Sequence, residues 1–118
     1  MGTDRDPETV FDVLGSEEVR KILALTDVKP MSVQELSDRL EASEATVYRR
    51  VNTCEEYDLL TEDAVVDEGN QYKVYEANLE RVTLELNDGG FDVELRLRRD
   101  LVDQFGNFWS DLEGSSDG

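Results

Sequence analysis

Histidine is absent from this chain of 118 residues, and cysteine occurs once, as Cys54. Without histidine there is no imidazole for acid–base catalysis and no histidine ligand for a metal. One cysteine cannot form an internal disulfide, a Cys-x-x-Cys redox pair or a zinc cluster. Paired catalytic carboxylates cannot be distinguished among 29 Asp and Glu residues spread along the chain. The sequence therefore predicts a protein that is not an enzyme and that holds no metal or cofactor.

Long apolar runs are also missing. No segment approaches the roughly 18 apolar residues that a membrane-spanning helix needs. Residues 1–7 lack the apolar core of a signal peptide. We therefore expect a cytoplasmic protein that does not associate with a membrane.

Positive charge is scarce, because 12 Lys and Arg face 29 Asp and Glu and leave a net charge of −17. Lysine occurs only at positions 21, 29 and 73. At molar salt the Debye length is about 3 Å, so the self-repulsion of such a surface is screened. The composition predicts a globular protein adapted to concentrated salt. The alternative, a disordered acidic chain, is disfavoured by the periodic apolar segments described next.

Capping residues and apolar spacing predict helices in the first half of the chain. Pro7 suits a first helical turn, and Gly15 ends that segment. Ser16 is an N-cap for a second helix, which Pro30 stops. The capping box over residues 32–35 begins a short third helix.

Ser43 caps the next helix, predicted over residues 44–57. Its apolar stripe contains Val47, Val51 and Cys54, at the spacing of one helix face. Cys54 is most simply a small buried hydrophobe on that stripe. A redox-sensing thiol is the alternative, and it is less favoured because two glutamates follow it.

Period-two alternation predicts two hairpins in the second half. The first has a turn at residues 67–70, and the second, over 81–98, turns at Asp88-Gly89-Gly90. An amphipathic helix over 100–112 and a disordered tail over 113–118 follow. The fold class is therefore α+β: a winged helix-turn-helix domain over 8–77, then a hairpin-plus-helix extension over 78–112.

Residues 42–51, ASEATVYRRV, and residues 56–60, EYDLL, carry a family pattern. The pattern resembles the recognition helix of ArsR-like winged helix-turn-helix transcription regulators, especially the acidic ones of halophilic archaea. Those proteins commonly have Ser-x-x-Thr-Val-x-Arg, followed by Gly-Leu-Leu or Gly-Leu-Val. Glu41 and Asp58 stand where the family usually has glycine, and both positions are expected to need a positive φ. The metal-sensing motifs of the family are missing, so metal sensing does not carry over.

The resemblance and the polar helix face together imply a sequence-specific, DNA-binding transcription regulator that works at high salt. An arginine of this helix can bind guanine bidentately, and small hydroxyls can contact phosphate or base edges. We expect the helix in the major groove and the first hairpin as a wing. The predicted DNA contacts are Ser43, Ala45, Thr46, Tyr48, Arg49 and Arg50 on the helix, and Asn70, Gln71 and Lys73 near the hairpin tip.

Three alternatives stay open for these contacts. The hairpin tip is equally well explained as a solvated loop, and Arg49 and Arg50 as surface charges that pair with acids such as Glu56. The strongest rival function is a winged-helix module that binds protein and not DNA. Because the charge opposes DNA binding, we also expect cations to bridge acids to phosphates and the salt dependence to be flat or inverted.

The C-terminal stripe predicts homodimerisation, which would match a pseudo-palindromic operator. Its residues are Leu101, Phe105, Phe108, Trp109 and Leu112. Two alternatives are simple closure of the core and a small-molecule pocket that includes Phe91. The basic cluster Arg96, Arg98 and Arg99 is predicted to pair with nearby acids rather than to touch flanking DNA.

Overall fold

The computed structural model describes residues 2–4 and 6–99. Four helices lie in this part of the chain: α1 Pro7–Leu14, α2 Glu17–Val28, α3 Val33–Leu40 and α4 Glu44–Glu56. Five strands accompany them: β1 Gly2–Asp4, β2 Leu60–Asp67, β3 Asn70–Ala77, β4 Leu79–Asn87 and β5 Gly90–Leu97. The predicted α+β class is confirmed, and the order of elements is compatible with a winged-helix-like arrangement. The expected C-terminal helix, its proposed dimerisation residues and the tail lie outside the described residues.

The helices begin where the capping residues predict. Asp6, Ser16, Ser32 and Ser43 each accept a hydrogen bond from the backbone amide three residues later. At Ser32 the capping box is complete, because the Glu35 carboxylate also accepts from the Ser32 amide at 3.2 Å. Local side-chain bonds thus fix the four helix starts independently of tertiary packing.

Helices α3 and α4 are followed by left-handed residues. Glu41 has φ 55° and Asp58 has φ 60°, which confirms the positive φ expected at these two positions. Helix α4 ends at Glu56, one residue before the predicted end, because Tyr57 already leaves helical geometry with φ −107° and ψ 14°. The two left-handed residues set the direction in which the chain leaves each helix.

Both predicted hairpins are present. Strands β2 and β3 pair antiparallel from Leu60↔Ala77 to Asp67↔Asn70. The second sheet has the strand order β1-β5-β4. Each hairpin turns through two residues of positive φ, Glu68-Gly69 and Asp88-Gly89, as tight two-residue turns require. Strand β1 was not predicted, since its three residues show no apolar alternation.

A single hydrophobic core joins the helices to both sheets. Helices α2, α3 and α4 contribute the fully buried Ile22, Leu36 and Val51. The second hairpin adds Leu95 to the same cluster. The core is thus continuous across the boundary that the sequence places between residues 77 and 78. Among the residues described, no helix combines the length and the apolar content needed to cross a membrane.

Asn78 joins the two sheets and is buried, although it is polar. Its Nδ2 donates to the Asp58 carbonyl at 2.9 Å and to the Arg99 carbonyl at 2.7 Å. Its Oδ1 accepts from the Arg99 amide at 2.8 Å. One side chain therefore ties the turn after α4 to the point where the chain leaves β5.

Candidate nucleic-acid interface

An open groove of about 780 Å³ lies between the start of α3, the exposed side of α4 and the first hairpin. It brings together Tyr48, Asn70 and Lys73, three of the residues predicted to contact DNA. The sequence had placed Tyr48 on the helix and Asn70 and Lys73 near the hairpin tip, with no geometric link between the two elements. The remaining lining residues are Ser32, Val33, Gln34, Glu35, Glu44, Asp67, Tyr72 and Tyr75.

The side of α4 that carries Ala45, Tyr48 and Arg49 faces solvent. Tyr48 is 53% exposed, which is high for a tyrosine on a packed helix. Within the described part of the chain, Arg49 has no ion pair. Its one side-chain bond goes from Nη2 to Thr46 Oγ1 at 3.5 Å. Its guanidinium is thus available to a ligand.

Ser43 and Thr46 are occupied at the start of α4. The Ser43 hydroxyl accepts from the Thr46 amide at 3.1 Å and donates to Thr46 Oγ1 at 3.0 Å. Ser43 therefore serves first as the N-cap. Because phosphate oxygens accept hydrogen bonds, Ser43 would have to redirect its hydroxyl proton to contact a phosphate. The donors that the cap leaves free for a phosphate are the first backbone amides of the helix.

Arg50 faces a different direction from Arg49. Its Nε lies 2.7 Å from Glu18 Oε1 on α2. Consecutive residues of a helix point about 100° apart, so the two arginines leave α4 in different directions. Neither of them lines the groove. The acid that pairs with Arg50 is Glu18, and not the Glu56 considered from the sequence.

Lys73 on β3 is held by Glu62 on β2, with Nζ 3.1 Å from Oε1. This contact raises the pKa of Lys73 and so keeps it charged. Asn70 and Gln71 are exposed beside the hairpin turn. The structure thus places the three predicted wing residues on one strand, where Lys73 is already paired.

A carboxyl pair links α4 to the hairpin, and sequence analysis missed it. Glu55, in the last turn of α4, is hydrogen-bonded to Glu62. Burial raises the pKa of Glu55 to about 7, and the bond to Glu62 adds to the rise. The bond to Glu55 is also the main reason that the pKa of Glu62 is lowered. Among so many acids, nothing in the sequence distinguishes these two.

The groove is acidic overall. Glu35, Glu44 and Asp67 line it, against Lys73 as the one cation among its lining residues. The hydrogen bond from the Ser32 amide, and after it the contact with Lys29, lower the pKa of the Glu35 carboxyl below its ordinary value. A phosphate backbone in this groove would meet carboxylates as well as hydrogen-bond donors.

The remaining predicted features are structural. Cys54 is fully buried, and burial followed by the charge of Glu55 raises the pKa of its thiol to about 12. This confirms a buried hydrophobe and disfavours a reactive thiol. Arg96, Arg98 and Arg99 lie against Glu80, Asp27 and Glu76, which confirms their pairing with acids. Within residues 2–4 and 6–99, no group of three or more cysteine or carboxylate side chains is placed to hold a metal ion.

No protein-family model matches the chain, and no curated protein shows significant similarity to it.

Proposed function

We propose that the protein is a winged-helix, sequence-specific DNA-binding regulator of transcription that works at high salt. The observation that carries the proposal is the solvent-facing side of α4. It presents Tyr48 next to the β2–β3 hairpin and Arg49, which has no ion pair among the described residues. Helix α4 follows α3 after a link of residues 41–43, which is the order of a helix-turn-helix.

The dimensions of the elements suit a duplex. Helix α4 has 13 residues, and a helix fits the major groove, which is about 12 Å wide. The hairpin strands have eight residues each, and the turn lies about 16 Å beyond Tyr75, the buried residue of β3 nearest the turn. In this pose Arg49 binds a guanine edge, Tyr48 contacts base or sugar, and Asn70 and Gln71 reach the adjacent backbone.

The acidic groove gives cations a role in this proposal. Glu44 and Asp67 would lie close to phosphates, and bound cations would bridge these carboxylates to the phosphates at high salt. Two copies on a pseudo-palindromic operator, with half-sites about 34 Å apart, complete the proposal.

Selection from a pool of random duplexes tests the proposal directly. The pool should vary about 20 base pairs, enough for two half-sites, and the selection should run at several KCl concentrations from about 0.1 to 3 M. Enrichment of one sequence family supports sequence-specific binding. The proposal fails if the folded protein enriches no sequence at any salt concentration.

Two arginine variants identify the surface. Arg49→Ala should weaken binding to the selected duplex about tenfold or more, as the loss of a guanine contact of roughly 1–3 kcal/mol requires. Arg96→Ala is the matched control, because Arg96 is also exposed and lies 4.0 Å from Glu80 on the second sheet. Equal effects of the two variants would contradict recognition through α4.

A protein-interaction module is the second candidate, and the charge of the groove favours it. Glu35, Glu44 and Asp67 line the groove, while Arg50 and Lys73 are used in ion pairs. Such a surface suits a basic peptide segment better than a phosphate backbone. A failed DNA selection, together with binding of a lysine-rich peptide that Glu44→Gln weakens, would establish this candidate instead.

A further inference from the structure

An apolar strip is exposed at the tip half of the second hairpin. It consists of Leu84, Leu86 and Phe91, whose side chains are 51%, 69% and 47% exposed. We refer to these three residues as the hairpin strip. Three neighbouring large apolar side chains at such exposure suggest a surface that another element covers.

The strip continues the buried face of the β1-β5-β4 sheet. Leu84 pairs with the buried Val93, and Leu86 pairs with Phe91. Helix α1 reaches this face from the β5 side, where the Phe11 ring meets Phe91 edge-on at 5.5 Å between centroids. The face over β4 receives less cover, since Leu84 and Leu86 stay exposed.

The chain leaves the sheet at the opposite end of β5. Arg98 and Arg99 are bonded there to Asn78, through the Arg98 amide at 2.7 Å and the Arg99 amide at 2.8 Å. Residues 100–118 follow this anchor. Their apolar residues recur at the three- and four-residue spacing of one helix face. They are Leu101, Val102, Phe105, Phe108, Trp109 and Leu112.

The reach of this segment matches the position of the strip. From Leu97 back to Phe91 the strand rises about 20 Å. A helix over residues 101–112 is about 18 Å long. A helix that starts beside Leu97 and runs back along β4 would bring Trp109 level with Leu84. Trp109 lies about 12 Å along the helix from residue 101, and Leu84 lies about 13 Å along the sheet from Leu97.

We propose that residues 101–112 fold back as a helix and dock on the hairpin strip of their own chain. The tether favours this occupant, because a short linker of matching length gives an effective concentration of about 1 mM or more. Docking within one chain needs no second copy, so it depends neither on protein concentration nor on screening of the net charge of −17. The strip itself is far smaller than the roughly 800 Å² per partner of a stable interface. The segment that the sequence predicts as a dimerisation element thus completes its own fold.

Trp109 is the only tryptophan of the chain, so its fluorescence reports docking without a label. In about 1 M KCl, where charge repulsion is largely screened, we expect a blue-shifted emission from the full chain that is unchanged by dilution. Leu84→Glu and Leu86→Glu should shift the emission to the red. Thr83→Glu is the matched control, because Thr83 is exposed on the same strand and points to the opposite face, and it should change nothing.

Three results would overturn the proposal. The first is an emission wavelength from the unsubstituted chain that is typical of a solvent-exposed tryptophan. The second is a blue shift that the two leucine variants leave intact. The third is a blue shift that disappears on dilution. The last result would assign the strip to a second copy.

Cysteine cross-linking separates these cases independently. Leu86→Cys with Leu112→Cys should give a monomer with an internal disulfide, while Thr83→Cys with Leu112→Cys should not. The native Cys54 thiol is buried and stays out of the reaction. A disulfide-linked dimer as the main product would contradict docking within one chain.

Discussion

Asn78 shows how much one polar residue can hold together in this fold. It is 2% exposed, and its amide group satisfies two carbonyls and one backbone amide from distant segments. Sequence analysis did not identify it, because asparagine is common in the turns that connect two strands. Its importance comes from partners 20 and 21 residues away.

Replacing this residue should be costly. Asn78→Ala removes three partly buried hydrogen bonds, and each loss costs about 1–3 kcal/mol before relaxation. We expect the free energy of unfolding to fall by about 2–4 kcal/mol in urea titrations at constant KCl. Asn87→Ala at the exposed hairpin end is the control and should change it by less than about 0.5 kcal/mol. Similar losses in both variants would contradict a buried junction at Asn78.

Glu41 holds a left-handed conformation at the end of α3 without being glycine. A non-glycine residue in this region carries a backbone cost of about 1 kcal/mol or more. Glu41→Gly should therefore raise the free energy of unfolding by about 0.5–1 kcal/mol.

Asp38→Gly is the matched control for this variant. It removes the same charge from the helical part of α3 and should lower stability by a few tenths of a kcal/mol, about the difference in helix propensity. Stabilisation by Asp38→Gly as well would show that charge removal, and not backbone strain, is responsible.

At the level of elements, the features that could be predicted are those encoded locally. The serine caps, the capping box and the two-residue turns involve residues within four positions of each other, so the helices and hairpins follow from short stretches. The features that could not be predicted join distant residues. Arg50 meets Glu18 across 32 positions, and β1 meets β5 from the other end of the chain.

The same distinction applies to the candidate site. The pattern of α4 predicted which helix would expose a polar face, and the structure exposes Tyr48 and Arg49 on it. The pattern could not separate Arg49 from Arg50, because the partner of Arg50 lies on α2. It also could not identify the contact between Glu55 and Glu62, which depends on how the hairpin folds back against the helix.

The contact of α4 with the hairpin should depend on pH through Glu55, whose pKa is raised by burial and by Glu62 to about 7. The unfolded chain loses this proton near the ordinary value of 4.5. Between these two pH values the folded state binds more protons, so the stability of the fold decreases as pH rises from 5 to about 7. Glu62, whose pKa is lowered, loses its stabilising effect only at lower pH.

Glu55→Gln should remove this dependence, because glutamine donates to Glu62 at every pH. We expect the free energy of unfolding of the variant, measured relative to that of the natural chain, to be about 1 kcal/mol higher at pH 8 than at pH 5. This value is reduced for solvent screening of a partly exposed pair. Urea titrations at both pH values measure it. Glu56→Gln, the exposed neighbour, is the control, and an equal gain in that variant would rule out the pair as the cause.

At the scale of the whole molecule, charge opposes the proposed function while local geometry supports it. DNA affinity normally falls with salt, with a slope of about −0.9 per phosphate that the protein neutralises. Arg49 and a Lys73 already paired with Glu62 offer few such contacts. The molecule's net charge of −17 adds a repulsion that salt weakens.

These opposing effects predict a flat or inverted salt dependence of DNA affinity. Between about 0.1 and 2 M KCl, we expect the slope of log affinity against log salt to lie between about −1, the value for one neutralised phosphate, and a positive value. Fluorescence anisotropy with the selected duplex measures the slope. A steep loss of affinity, with a slope near −5 or beyond, would contradict the prediction.

Charge removal in the groove tests the cause of this behaviour. Glu44→Gln combined with Asp67→Asn removes two of the carboxylates that line the groove. The variant should bind DNA more tightly at about 0.1 M KCl, where the carboxylates repel phosphates, and less tightly at about 2 M, where it lacks the carboxylates that cations bridge to phosphates. Its slope should therefore turn negative. Glu80→Gln combined with Glu85→Gln removes the same charge from the second hairpin. If that pair changed the slope equally, the net charge of the molecule, and not the acids of the groove, would set the salt dependence.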